Sequence, residues 1–183
     1  HTIRDHGNLG TISLRTLLQK SSNIGSAKIA LSLPASAMSD MQKAFGFGAK
    51  TNLKLPGESA GLVPTPEQNE IARRVTVSYG YGLQVTLAQL AQAYSVLGAG
   101  GVIHPLTLLK STRDNALNSS STNNVSVPFA KPAAKQVIKT SDALTIVDMM
   151  TSVTEPGGTA TLAAIDGYRV AGKSGTAIRT NPK

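Results

Sequence analysis

Apolar positions along this chain recur mostly at helical spacing, in short stretches parted by glycine, proline and serine. Ile12, Leu14, Leu17 and Leu18 form one such face, and Ile24, Ala27, Ala30 and Leu31 a second. Lys20-Ser21-Ser22-Asn23 stands between them. Serine and asparagine bond nearby backbone and favour caps over helix interiors. The pattern therefore predicts two short helices around a polar break, with Ser21 and Asn23 at a helix start. Met38, Met41 and Phe45 mark a third helix with methionines filling core, stopped at Gly46. Thr65-Pro66-Glu67-Gln68 combines a capping threonine, a proline at the first helical position and a glutamine where a capping box needs it. Thr86-Leu87-Ala88-Gln89 repeats the box, and Leu87, Leu90, Ala91, Tyr94 and Leu97 give its helix an apolar face that Gly98 closes. Ser141 is expected to cap a further helix, with Ala143, Val147 and Met150 inward, broken at Pro156-Gly157-Gly158. A short helical stretch comes next, with Leu162 and Ile165.

Strand candidates are few. Val102 to Ser111 is apolar and short, and Val170 to Ile178 reads as a strand close to the end of the sequence. Residues 51–64 carry Pro56, Gly57, Gly61 and Pro64 and read as irregular chain. Residues 112–132 turn polar and rich in Ser and Asn, which predicts a solvated, mobile loop inside one domain.

Composition narrows the classes. At 183 residues the chain suits a single domain with a sizeable core. Hydrophobic residues make up 40% but aromatics only 4%, so the core must rest on aliphatic side chains. The net charge is +8, yet no run of five basic residues occurs and aromatics do not interleave with the basic positions, so no nucleic-acid partner is expected. Cysteine is absent, which excludes disulfides and thiolate metal sites. His1, His6 and His104 lack metal-ligand spacing, so neither a metal nor another cofactor is expected. No stretch of about eighteen apolar residues is present to cross a membrane.

Lys173-Ser174-Gly175-Thr176 carries the most chemistry. Lysine supplies charge, the two hydroxyls supply donors, and glycine lets a ligand approach the backbone, so the four together can grip a carboxylate. Ser21-Ser22-Asn23 supplies an S-x-N motif upstream. A K-[ST]-G motif paired with S-x-N occurs in serine acyl-transfer sites, where the third motif is Ser-x-x-Lys. Here no lysine has a serine three positions before it; Thr107-Leu108-Leu109-Lys110 has threonine in the serine's place. Taken alone, Ser21 and Asn23 equally suit a helix cap, and Lys173 an ordinary strand surface.

Other stretches join these motifs: Ser78-Tyr79-Gly80-Tyr81-Gly82-Leu83, Pro156-Gly157-Gly158-Thr159 and Gly167-Tyr168-Arg169-Val170-Ala171-Gly172-Lys173. With them the chain resembles the class B penicillin-binding proteins over nearly its whole length, most of all the septal, division-specific transpeptidases of Gram-negative bacteria. The resemblance implies an α+β transpeptidase fold of the kind shared with serine β-lactamases, an antiparallel sheet with helices, present here in part. It implies a D,D-transpeptidase that cross-links peptidoglycan stem peptides through an acyl-enzyme and is acylated by β-lactam antibiotics. By the same resemblance the nucleophilic serine lies upstream of His1, so the 183 residues alone are expected to be inactive. Ser21 resembles the family's proton relay, Asn23 the amide that holds the substrate's acyl side, and Lys173 the cation beside Ser21. Ser174, Gly175 and Thr176 resemble the substrate-binding strand, with serine at 174 where threonine is usual. Tyr79 and Tyr81 would wall the acyl-side pocket, although their glycine neighbours already explain a turn. The resemblance further implies the periplasmic face of the bacterial inner membrane, an anchor outside this sequence, and divisome membrane proteins or the rest of its own domain as partners. A β-lactamase, a β-lactam sensor or a non-catalytic binding module of the same fold stands as the alternative. Glu58 is the one acidic residue that invites the role of a deacylating base.

Overall fold

The computed structural model describes residues 2–51, 53–65, 70–113, 126–128, 130 and 133–175. Six helices dominate it: α1 (Leu14–Lys20), α2 (Asn23–Ser32), α3 (Ala37–Ala44), α4 (Ile71–Val77), α5 (Leu87–Gly98) and α6 (Thr140–Thr151). A single 3-10 turn covers Thr161–Ala163. Four short strands form two antiparallel pairs. In the first, β1 (Val102–Ile103) lies against β4 (Lys135–Gln136), with Val102 opposite Gln136. In the second, β2 (Ser111–Arg113) lies against β3 (Ser126–Pro128), with Thr112 opposite Val127. This is the expected mixture of helices and a small antiparallel sheet.

The polar break between α1 and α2 is real, but its capping is shifted by one residue. Ser22 caps α2: its Oγ accepts from the Gly25 N–H at 2.9 Å. Ser21 instead ends α1 in the left-handed conformation, φ 55° and ψ 49°, with its N–H turned back on Leu18. Helix α2 packs on α4, and Arg74 of α4 donates to the carbonyls of Ala30 and Leu33 at 2.8 and 2.7 Å. Those acceptors belong to the orphan carbonyls at the end of α2, so the arginine both caps that helix and ties it to α4.

The capping box of α5 forms in full. The Gln89 N–H donates to Thr86 Oγ1, and Gln89 Oε1 accepts from the Thr86 N–H at 2.8 Å. Gln89 is fully buried, and its Nε2 also donates to the carbonyls of Ala49 and Ala60 at 2.7 and 2.8 Å. One side chain thus serves a helix end and two loop carbonyls. Gln89→Ala is expected to cost about 2–3 kcal/mol, read as a lower urea midpoint. Alanine keeps the N–H bond to Thr86 Oγ1 but loses the bonds to the Thr86 N–H and to the two carbonyls, each worth about 0.5–1.5 kcal/mol net. A change below about 0.5 kcal/mol, the usual size for an ordinary surface substitution, would overturn this account.

The inward face of α5 differs from the expected one. Gln89, Gln92, Ala93 and Val96 are buried, whereas Leu87 is 82% exposed and Leu90 and Tyr94 are exposed. Gln89 and Gln92 are drawn inward by backbone acceptors, Gln92 by the His104 carbonyl at 2.8 Å, and the helix turns Leu87 and Leu90 out. Similarly, α3 buries Ser39 and leaves Met41 exposed. Ala143 and Met150 of α6 are buried as expected, but Ser141 is not the cap; Lys139 holds that position without a side-chain bond.

Two strand expectations are corrected. The stretch from Val102 to Ser111 contains only Val102–Ile103 and the first residue of β2, because Pro105 cannot donate to a ladder. Residues 170–175 pair with no strand among the described residues. Their backbone is held by α6 and the turn after it: Thr154 Oγ1 donates to the Val170 carbonyl at 2.8 Å, and the Gly172 N–H to the Met150 carbonyl at 3.3 Å. The rest of that expected strand, most of the expected mobile loop at 112–132 and the Pro66-Glu67-Gln68 helix start lie outside the described residues.

Candidate active site

Ser21 and Lys173, 152 positions apart, meet directly: Lys173 Nζ donates to Ser21 Oγ at 2.6 Å. The ammonium also donates to the Ser174 carbonyl at 3.1 Å. Burial lowers the Lys173 pKa, because a half-sequestered ammonium has lost part of its hydration. A lysine in that condition gives up its proton more readily than a solvated one. Ser21 Oγ, already accepting from Lys173, keeps its own hydrogen to donate elsewhere.

The pair opens onto a cavity of about 610 Å³ whose walls include Asn23, Tyr79, Tyr81, Ser174 and Gly175. Seven of the eight residues expected from the sequence are thereby brought to one place; the eighth, Thr176, lies outside the described residues. Tyr79 and Tyr81 project from the turn after α4 and pack edge to face, with ring centroids 5.8 Å apart at 75°. Gly80 and Gly82 make that turn with φ of 98° and 78°, conformations that suit glycine. Among the described residues, a Cβ on Gly175 would meet nothing within 4 Å, which leaves its backbone open to a ligand.

Three contributors were not singled out in the sequence. Thr159 lies on the cavity wall, and its Oγ1 is 2.8 Å from Ser174 Oγ. His6, assigned no role by its spacing, lies on the wall too. Asp5 stands behind the S-x-N turn: its carboxylate accepts from Ser22 Oγ at 2.6 Å and from the Ile24 N–H at 3.1 Å. Burial pushes the Asp5 pKa up, but those donors and the Asn23 N–H outweigh it and leave the pKa lowered. No local pattern announces a carboxylate that acts on a turn 17 positions away.

Glu58 does not line the cavity; its Oε1 accepts from the Thr51 N–H at 2.8 Å and from the Thr51 hydroxyl. The threonine of Thr107-Leu108-Leu109-Lys110 is likewise engaged locally, accepting from the Leu109 N–H at 3.0 Å.

The model of the penicillin binding protein transpeptidase domain matches residues 1–183, the whole chain. The chain belongs to the penicillin-binding protein transpeptidase family. Among curated relatives, the peptidoglycan D,D-transpeptidase FtsI of Escherichia coli K12 is 40% identical over 182 residues, which are 100% of this chain and 28% of that protein. The probable peptidoglycan D,D-transpeptidase PenA of Neisseria gonorrhoeae is 36% identical over 175 residues, 96% of this chain and 27% of PenA. The chain thus spans little more than a quarter of the length of these relatives. Among solved structures, the transpeptidase domain of penicillin-binding protein 3 from Burkholderia pseudomallei superposes with a TM-score of 0.79 at 36% identity, covering 97% of this chain and 49% of that one. Penicillin-binding protein 3 of Mycobacterium tuberculosis, solved in complex with ampicillin, gives 0.84 at 30% identity, covering 98% of this chain and 40% of that one.

Proposed function

We propose that this transpeptidase domain carries most of the substrate-side machinery of a septal peptidoglycan D,D-transpeptidase. The enzyme forms an acyl-enzyme on a D-Ala-D-Ala stem peptide and resolves it with an amine from a second strand. The observation that carries the reading is the Lys173–Ser21 bond on the wall of a cavity shared with Asn23 and Ser174. Ser21, held by Lys173, passes a proton between the nucleophile and the departing amine. Lys173 supplies positive charge and a lowered proton affinity beside it. Asn23 holds the acyl-side amide, and Tyr79 and Tyr81 wall that side. Ser174, Gly175 and Thr176 receive the terminal carboxylate, Thr176 lending its N–H to the developing oxyanion. The serine of a Ser-x-x-Lys motif comes from elsewhere in the full-length protein, which works at the periplasmic face of the inner membrane with divisome partners. The remainder of the domain, the stem peptide and β-lactams are its other partners. The engagement of Glu58 with Thr51, outside the cavity, favours a transpeptidase over a hydrolase.

Ser174→Ala in the full-length protein tests this reading. The wild type is expected to take up one equivalent of penicillin and keep it; rapid turnover of the drug, or no uptake, would overturn the proposal. The variant is expected to slow acylation by a penicillin on the order of ten- to a hundredfold, since a hydrogen bond to a charged group contributes roughly 1.5–3 kcal/mol. Acylation by the carboxylate methyl ester should change far less. Equal losses for acid and ester would remove Ser174 from carboxylate recognition.

A further inference from the structure

Among the described residues, the two motif segments touch through the Lys173–Ser21 bond, and each is also tied to a common frame, helix α6 with the turn after it. On the Lys173 side, Thr154 holds the Val170 carbonyl, and Thr159 shares a hydrogen with Ser174. On the Ser21 side, Lys20 Nζ donates to the Gly157 carbonyl at 2.7 Å. Lys20 directly precedes Ser21, and Ser21 holds a left-handed backbone that a non-glycine residue adopts only when its surroundings impose it. Helix α1 leans on α6, where Arg15 pairs with Asp148, but it fully buries none of its residues, so its C-terminal end depends on polar contacts as well. Gly157, with φ of 84°, makes the turn that offers its carbonyl to Lys20.

We infer that Lys20 is a positioning residue: by gripping the Gly157 carbonyl, its ammonium holds the Ser21 hydroxyl within reach of Lys173. The inference rests on the proposed roles of Ser21 and Lys173. An ammonium suits the task because it carries three donors on a flexible stem and forms charge-assisted bonds stronger than neutral ones. Displacing Ser21 would lengthen the proton path without removing any group that touches the substrate. Its loss should therefore appear in the acylation step and leave binding of the drug unchanged.

The test uses the full-length protein with Lys20→Met, which keeps the stem and loses the charge, and Lys20→Arg, which keeps a cationic donor. Stopped-flow mixing with a penicillin separates the acylation constant from the dissociation constant of the preceding non-covalent complex. Lys20→Met is expected to lower the acylation constant on the order of ten- to a hundredfold, as misplacement of a reacting group does. The dissociation constant and the melting temperature should stay close to wild type, and Lys20→Arg should recover most of the rate. Wild-type acylation by Lys20→Met, with Lys173→Ala inactive, overturns this inference alone. Wild-type acylation by Lys173→Ala overturns the reading beneath it. A rate loss that tracks a fall in melting temperature and is not rescued by arginine overturns the positioning role in favour of a purely structural one.

Discussion

Produced on its own, the 183-residue chain is expected to take up no covalent penicillin. None of its lysines has a serine three positions before it, so the Ser-x-x-Lys pair on which the family's acylation depends is absent from these residues. Ser22 is buried and committed to Asp5 and Gly25. The hydroxyl of Thr107 is turned onto the backbone of Leu109. Removing the nucleophile from a site of this kind typically costs on the order of a million-fold in turnover, even with its other groups in place. The check is a fluorescent penicillin and a denaturing gel, with the full-length protein as the positive control. A stable label at one equivalent on the chain alone would show that one of its own hydroxyls is the nucleophile, and Ser21 would then have to be reassigned.

Lys173→Ala in the full-length protein should reduce the acylation rate by about 10²–10³, the usual loss on removing one preorganised group from an acyl-transfer site. The reasoning is local. The ammonium is the hydrogen-bond partner of Ser21 Oγ, and it also donates to the Ser174 carbonyl, so one side chain links both motif segments. Its burial lowers its pKa, which brings its proton affinity closer to what a relay at neutral pH requires. Alanine removes the charge, the donor and the link together. Lys173→Arg should recover little, because a guanidinium stays protonated and cannot pass a proton. Stopped-flow acylation of either variant within threefold of wild type would take Lys173 out of the mechanism.

What could be read in the sequence was whatever local chain chemistry decides. The capping box at Thr86 and Gln89 needs four consecutive residues and forms as expected. The polar break is set locally, by a Ser22 side chain that takes the Gly25 N–H and a Ser21 backbone that turns left-handed. The S-x-N and K-[ST]-G motifs named Ser21, Asn23, Lys173 and Ser174, and the fold brings all four to one cavity.

Tertiary structure decided the rest. Which face of α5 turns inward depended on the carbonyls of Ala49, Ala60 and His104, which accept from Gln89 and Gln92, and two glutamines took buried positions where an apolar count would place leucines. The segment before Lys173 has the composition of a strand, yet its described part takes its hydrogen bonds from α6 and Thr154, partners its own sequence does not name. Asp5, Thr159 and Lys20 support the site through contacts with residues distant in sequence or with a backbone carbonyl. Such contacts leave no periodic or motif signature, since any residue able to donate or accept at that distance would satisfy them. The sequence by itself determined which side chains can do the chemistry; only the folded chain decided that Lys173 and Ser21 stand within a single hydrogen bond of each other, because that distance is set by how α1, α6 and the turn after α6 pack together.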